Sequence, residues 1–572
     1  MTGRHPFFSR NSIRDLTVTA DVEMGRNRLL ITSALFAAAF AVVAIRLVDV
    51  TLLGERSASQ LAEGSATAIH LTSRADIVDR NGVLLATSLK TASLFANPRL
   101  IRNPGEAAAT LVNVLPDLHE GKIRSRLGDG HKFVWIKRHL TPRQKYDVNR
   151  LGIPGFEFQN EERRVYPAGK MASHLLGHTN IDSTGQMGIE RKFDSQLKSR
   201  QTPLQLSIDT RIQHTLRREL SRSMANFSAV GAAGIVMDVN NGEVLGMVSL
   251  PDFDPNKLDP VDAEARFNRA TQGVYEMGST FKIFTTAMAL DLGKVTMQGG
   301  YDATDPIRIS RFVIRDFHAK KRWLSVPEIF MYSSNIGSAK MALHVGPAGQ
   351  RNFMEKLGLL APSPVELAEI GAPLVPARWS DISAITISFG HGIAVSPVQL
   401  VASVAAMVNG GVLYSPTIIK RPKGRPLIGK RVIKPKTSEK IRRLLRLVVA
   451  HGTGRLANAE GYLVGGKTGT AEKVVGRRYK TKALMSSFVG AFPMNAPRYV
   501  VFAMLDEPTG TAETQGFATG GWVAAPVVGR VISMIGPMLG MRPIDEEAPA
   551  IRRTMAIDVV TEKTGKRRLA SF

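Results

Sequence analysis

The chain has 572 residues, more than one ordinary hydrophobic core accommodates, so two or more domains are expected. At 44% hydrophobic and 22% charged it has the composition of a globular protein, and with no cysteine it excludes disulfides, thiolate metal sites and cysteine nucleophiles. The net charge of +26 suits anionic lipid headgroups or acidic wall polymers; no recognition-helix or RNA-binding signature directs it to nucleic acid.

Residues 1–28 are polar and carry Arg4, Arg10, Arg14, Arg26 and Arg28 with no evident fold. Leu29 to Ile45 is apolar apart from Thr32 and Ser33. With Arg46 snorkelling and Leu47 and Val48 following, a helix over 29–50 is just long enough to span a bilayer. The arginines before it place the N-terminus in the cytoplasm. Ala39-Phe40-Ala41 has the form of a signal-peptidase site, but the apolar run continues through it, so the segment reads as an uncleaved anchor.

Residues 51–225 read as a module without catalytic residues, a pedestal that holds a second domain away from the membrane. Arg74 to Ala86 has the pattern of a strand, an Asn81-Gly82 turn and a second strand. The charges of Arg74, Asp79, Arg80 and Arg164 are expected in structural ion pairs. His174 and His178 stand at i, i+4 but lack the glutamate of an HExxH site and a third ligand, so no metal is expected. Ser195-Gln196-Leu197-Lys198 sits in a polar run and predicts a solvated helix face. Leu206 to Asp209 reads as a strand leading out of the module, and Thr210 to Asn226 has helical apolar spacing.

The second domain is expected over 226–540. Ala233–Val239 and Val244–Leu250 flank Asn241-Gly242, a hairpin signal, while Tyr462–Lys473, Ala483–Phe492 and Tyr499–Leu505 read as three more strands. Strands at both ends of a helical centre predict an α+β domain, an antiparallel sheet flanked by helices. Residues 541–572 form a charge-rich tail expected to fray.

Between the two groups of strands lies Tyr275-Glu276-Met277-Gly278-Ser279-Thr280-Phe281-Lys282. If Gly278 closes a turn and a helix begins at Ser279, hydroxyl and amine stack on one face. The run from Phe281 to Leu290 is apolar nearly all round, as in a buried helix. Burial lowers an ammonium pKa and makes Lys282 a base for Ser279, where the helix N-terminus stabilises negative charge. Ser333-Ser334-Asn335 follows the hydrophobic Ile329 to Tyr332, and Lys467-Thr468-Gly469-Thr470 ends a strand-like run. The second copies, Ser9-Arg10-Asn11 and Lys563-Thr564-Gly565, lack hydrophobic flanks. Hydroxyls and lysines with no metal cluster or phosphate loop suit acyl transfer without a cofactor. His318 and His391 have ordinary structural explanations.

Ser-x-x-Lys, Ser-x-Asn and Lys-Thr-Gly in this order resemble the motif set of penicillin-binding proteins and serine β-lactamases. Ala232–Leu245, Phe389–Pro397 and Gly520–Pro526 look like the transpeptidase domain of class B penicillin-binding proteins. Arg74–Ala86, Arg164–Pro167, Ala172–Gly177 and Gly185–Glu190 resemble the N-terminal module of that class, so the likeness covers most of the chain. Met277 departs from the usual proline and His391 from the usual tyrosine, neither at a catalytic position.

The resemblance implies a membrane-anchored peptidoglycan DD-transpeptidase of the bacterial inner membrane, with its catalytic domain in the periplasm. Ser279 would attack a stem peptide ending in D-alanyl-D-alanine, with Lys282 taking its proton and Ser333 relaying a proton to the leaving amine. Asn335 would fix Lys282 and the substrate amide, and Lys467 would add charge. Thr468 and Thr470 would bind the substrate carboxylate, and Gly469 would leave room for an extended peptide. The backbone N–H groups of Ser279 and Thr470 are the oxyanion hole the resemblance implies. β-Lactams would stall the enzyme as an acyl-enzyme. The implied partners are a membrane glycosyltransferase and other division proteins, with the enzyme at the septum, since Asn335 followed by Ile336-Gly337-Ser338-Ala339-Lys340 resembles the division subfamily. The elongation subfamily more often has aspartate and then aromatic residues there. Of the other readings, a penicillin-hydrolysing enzyme does not explain the anchor and pedestal, a β-lactam sensor needs more cytoplasmic chain than 1–28, and an inactive scaffold has no use for a full motif set.

Overall fold

The computed structural model describes residues 33–44, 74–560 apart from 259, 310, 311, 423, 476 and 477, and 567–570. Ser33–Ala44 is an apolar helix in the middle of the expected anchor; the ends of that anchor, residues 1–28 and the second copies at Ser9 and Lys563 lie outside the described residues.

Arg74 onward forms one compact unit. Its first sheet holds β1 (Ile77–Val78), β2 (Leu84–Ala96), β3 (Val134–Leu140), β4 (Phe156–Val165) and β5 (Leu204–Gln205). β1 pairs with β2 across the Asn81-Gly82 turn, where Gly82 takes φ +88°, and β2 runs between β3 and β4. The pedestal carries two cores. Leu94, Leu111, Leu127, Ile136 and Leu140 close an outer lobe of their own. At its base, Ile77, Leu85, Leu176 and Ile189 belong to the same hydrophobic cluster as the helices of the second domain.

The expected ion pairs form at Arg74, Arg80 and Arg164, whereas Asp79 is held by neutral partners. Arg74 donates to Glu190 (2.6 Å) and Asp194 (2.7 Å), and Arg164 donates to the other oxygen of Glu190 (2.7 Å). Asp79 accepts from the amides of Asn81 and Val83 within its own hairpin, and from the amide and hydroxyl of Thr210 across the junction. Ser195 and Lys198 are exposed on a short helix, as predicted. His174 bonds the Ala265 carbonyl (2.8 Å) and, like His178, packs edge-on against Phe253.

The second domain has the expected α+β form. It begins with α1 (Thr210–Asn226), β6 (Gly231–Asp238) and β7 (Val244–Leu250). The central helices are α2 (Lys282–Asp291), α3 (Val326–Met331), α4 (Asn335–Val345), α5 (Pro397–Val408) and α6 (Pro435–His451). The chain returns through β8 (Gly465–Val475), β9 (Arg478–Phe492) and β10 (Tyr499–Asp506) to α7 (Ala525–Met538). The five strands form an antiparallel sheet in the order β8-β9-β10-β6-β7, which puts β8 on the edge.

Both faces of this sheet are buried, so its strands read as nearly continuous apolar runs. Along β10, Val501, Ala503 and Leu505 face α1 and α7, while Val500, Phe502 and Met504 face the central helices. Thr210–Asn226, which a boundary at 225 assigns to the pedestal, packs Ile212, Leu216 and Leu220 into the core against the sheet. Gly520–Met538 is the one described stretch long and apolar enough to cross a membrane, yet its apolar face is buried against that sheet, which makes it a core element.

The expectation that the chain frays from Met541 is wrong for its first part. The buried Arg446 pairs with Glu546 (2.7 Å), whose other oxygen accepts from the Leu463 amide (3.0 Å), and Met555 and Ile557 reach the core. A buried guanidinium needs a carboxylate, and the tail supplies it.

Candidate active site

The Ser279 turn is the first piece of the site. Gly278–Phe281 is a 3-10 turn, and α2 begins only at Lys282, not at Ser279. In a 3-10 turn residues i and i+3 eclipse, so the tighter geometry brings Lys282 Nζ to 3.0 Å from Ser279 Oγ. Gly278 has φ +55°, and a Cβ there would lie 2.4 Å from the Thr470 carbonyl oxygen. The turn is therefore pressed against β8, and only glycine fits both the dihedral and the gap. Met277 is buried, and its carbonyl accepts from the Thr280 hydroxyl (2.9 Å), a bond that a proline in its place would leave possible.

The second motif enters from the start of α4. Ser333 has φ +59°, a left-handed conformation for a residue with a side chain, and Ser334 caps the helix by accepting from the Gly337 amide (3.0 Å). This kinked turn presents three oxygens to Lys282: the Ser333 carbonyl at 2.6 Å, Ser333 Oγ at 3.0 Å and Asn335 Oδ1 at 2.7 Å.

The third motif comes from the edge strand. Lys467 Nζ donates to Ser333 Oγ (3.0 Å), and Thr468 Oγ1 meets Thr453 Oγ1 (2.9 Å). Thr470 Oγ1 accepts from the Gly520 amide (3.0 Å). Gly469 has a different task from the one expected. A Cβ there would meet Ser487 Oγ (2.5 Å) and the Met277 carbonyl (2.6 Å), so the missing side chain makes room for the nucleophile turn and not for an incoming peptide. The edge position of β8 is what leaves backbone groups free for an added strand.

Both lysines are buried, Lys282 1% and Lys467 0% exposed, with no carboxylate in ion-pair distance among the described residues. Burial holds the Lys282 ammonium well below its ordinary range; the charge of Lys467 adds to this, and Asp316 opposes it. Burial pushes Lys467 down to about 7. A neutral Lys282 has two N–H hydrogens and one lone pair. The Ser333 carbonyl and Asn335 Oδ1 can only accept, so they take both hydrogens and turn the lone pair toward the hydroxyls of Ser279 and Ser333. The Asn335 amide is held in that orientation by its Nδ2, which donates to the Arg315 carbonyl (3.0 Å).

The structure thus brings Ser279, Lys282, Ser333, Asn335, Lys467 and Thr468 into one contact network, with Gly469 and Thr470 along its β8 wall. Burial lowers the pKa of His391, and the charge of Lys282 adds to this. Thr453 and Asp316 were missed in the sequence. Thr453 had a faint signal, a hydroxyl between Gly452 and Gly454 after an amphipathic helix; Asp316 lies in a polar loop with none.

Residues 232–533 match the family model of the penicillin binding protein transpeptidase domain, and residues 70–222 that of the penicillin-binding protein dimerisation domain. The chain is 41% identical over 482 residues to the probable peptidoglycan D,D-transpeptidase FtsI of Caulobacter vibrioides, 82% of each chain being covered. It is 32% identical to stage V sporulation protein D of Bacillus subtilis, with 89% of this chain and 86% of that one covered. The crystal structure of penicillin binding protein 3 from Mycobacterium tuberculosis complexed with aztreonam shares the fold, with a TM-score of 0.66 at 22% identity, covering 83% of this chain and 97% of that one. With a matched dimerisation domain ahead of a matched transpeptidase domain, and a 41% identical relative along most of its length, the chain belongs to the class B penicillin-binding proteins.

Proposed function

We propose that this chain is a serine DD-transpeptidase that cross-links peptidoglycan stem peptides during septal wall synthesis through an acyl-enzyme on Ser279. The observation that carries the reading is the buried Lys282 amine 3.0 Å from Ser279 Oγ, with two acceptor-only partners to take its hydrogens.

In the first half-reaction Ser279 Oγ bonds to the carbonyl carbon of the penultimate D-alanine, and its proton passes to Lys282 Nζ. Collapse breaks the C–N bond, and the departing D-alanine amine takes a proton through the Ser333 hydroxyl, which touches both lysines. In the second half an acceptor amine attacks the ester, and Ser279 recovers its proton. Lys467, Thr468 and Thr470 receive the donor's carboxylate. β-Lactams enter the first half and stop there.

The arginine-rich tail, the apolar anchor and the pedestal over 51–225 support a place for the enzyme at the periplasmic face of the inner membrane, where a membrane glycosyltransferase and other division proteins dock. The name of the Caulobacter relative and the aztreonam complex of the mycobacterial structure support the chemistry. The motif Ser333-Ser334-Asn335 supports division over elongation, because an aspartate at 335 would add charge beside Lys282 and raise its pKa. The test is covalent labelling of the detergent-extracted protein with a fluorescent penicillin, followed by peptide mapping. The adduct is expected on Ser279 and absent from Ser279→Ala; an adduct elsewhere, or none in the wild-type protein, overturns the reading.

A further inference from the structure

The turn that carries Ser333 and Asn335 is strained, and the group that holds it is not part of any of the three motifs. Ser333 sits at φ +59°, and Ser334 and Asn335 each lean on the segment Arg315-Asp316. Asp316 Oδ2 accepts from Ser334 Oγ (2.7 Å), and Oδ1 accepts from the Ile336 amide in the first turn of α4 (2.9 Å). The neighbouring Arg315 carbonyl accepts from Asn335 Nδ2 (3.0 Å). One dipeptide therefore grips three consecutive residues. We propose that Asp316 is a positioning residue for acyl transfer, clasping the Ser333–Asn335 turn so that the Ser333 and Asn335 oxygens face Lys282.

A left-handed serine costs on the order of 1 kcal/mol or more and persists only where its surroundings over-determine it. Two charge-assisted bonds from one carboxylate, one of them to an amide at a helix N-terminus, are the strongest restraints on that turn. The restraint reaches the base itself. Asn335 can present Oδ1 to Lys282 only while its Nδ2 is held by Arg315, so the clasp also fixes which hydrogens Lys282 gives away. Charge acts in the same place. Among the charged groups around Lys282, Lys467 on β8 disfavours its ammonium and Asp316 supplies the opposing negative charge, while His391 feels Lys282 together with Glu276 and Glu472.

This role rests on the transpeptidase reading, and the experiment separates the two. Asp316→Asn and Asp316→Ala are made in the full-length protein, and the second-order rate of penicillin acylation is measured across pH with thermal unfolding alongside. Asp316→Ala is expected to lose about a hundredfold in plateau rate, the scale of a small misplacement of catalytic groups. Asp316→Asn, with the same shape and one acceptor left for the Ile336 amide, is expected to lose about tenfold. In both, the rising limb of the pH profile moves to lower pH, because Lys282 has lost the charge that favoured its proton. A merely structural residue would lower the plateau without moving the limb. Wild-type protein that fails to acylate sinks the transpeptidase reading; wild-type protein that acylates beside an Asp316→Asn variant with unchanged rate and limb sinks this one. If Asp316→Ala does not fold, the asparagine variant decides.

Discussion

Two groups of buried charge in this chain have opposite designs. At the base of the pedestal, Arg74 and Arg164 grip both oxygens of Glu190, and Arg74 also reaches Asp194; each of these four charges has an opposite within 2.7 Å. In the catalytic domain Lys282 and Lys467 are equally buried, yet their neighbours are hydroxyls, an amide oxygen and carbonyls. Paired charges in a dry site stay charged and fix geometry. Lysines given only neutral acceptors are driven to shed their protons, and that instability is what a base requires.

The largest effect expected from this contrast comes from Lys282→Met, which keeps the volume and removes the amine. Penicillin acylation should fall by about 10²–10⁴, the range for loss of a general base. Thermal stability should hold or rise, because a group that is costly to bury has gone. A Lys282→Met protein that unfolds markedly earlier than wild type would mean that the lysine is structural after all.

Glu190→Ala should do the reverse. It strands the buried Arg164 guanidinium and leaves Arg74 with Asp194 alone, and breaking a buried pair in this way costs about 3–5 kcal/mol. The loss is read from denaturant unfolding of the extracted protein, while the fraction that remains folded should still acylate at the wild-type rate. Wild-type stability in Glu190→Ala would break the comparison from the pedestal side.

A smaller effect is expected from pH on the wild-type enzyme. Lys467 is pushed down to about 7 by burial alone, and Lys282, burdened also by the charge of Lys467, gives up its proton first. Acylation needs Lys282 neutral and gains from Lys467 charged, so the second-order rate should rise as Lys282 deprotonates and fall again above about pH 7. The falling limb should vanish for an acyl donor that lacks the carboxylate, since Lys467 then has no anion to hold. A falling limb that is the same for both donors would move the role of Lys467 from binding to proton relay.

The features legible in the sequence are those set by local chemistry. The Asn81-Gly82 and Asn241-Gly242 turns, the first hairpin of the pedestal, the strands of the second sheet and the three motifs depend on residues close together in the chain, so their patterns could be read, whereas Val134–Leu140 and Phe156–Val165 of the first sheet were not. Two misreadings came from contacts across the fold. Gly469 looked like space for substrate, but the space is filled by the Met277 carbonyl and Ser487, which no local pattern announces. The tail beyond Met541 looked like solvent-exposed charge because its partner, the buried Arg446, lies far away in α6. Thr453 and Asp316 were missed for the same reason: each acts through a hydrogen bond to a residue on another element.

The smallest effect is the most discriminating, because the pedestal holds a second Ser-x-x-Lys with the same spacing. Ser195 and Lys198 are both exposed, and Lys198 gives its charge to Asp194 (2.9 Å), four residues before it on the same helix. Lys198 is solvated and paired with a carboxylate, whereas Lys282 is stripped of water and of carboxylates. An exposed i, i+4 ion pair is worth about 0.3–0.5 kcal/mol. Asp194 would still hold Arg74 (2.7 Å) and the Gly185 amide (2.8 Å) without Lys198. Ser195→Ala and Lys198→Ala should therefore acylate at the wild-type rate and unfold within about 0.5 kcal/mol of wild type. A penicillin adduct on Ser195, or a rate loss in Lys198→Ala, would show that spacing and not burial makes the nucleophile.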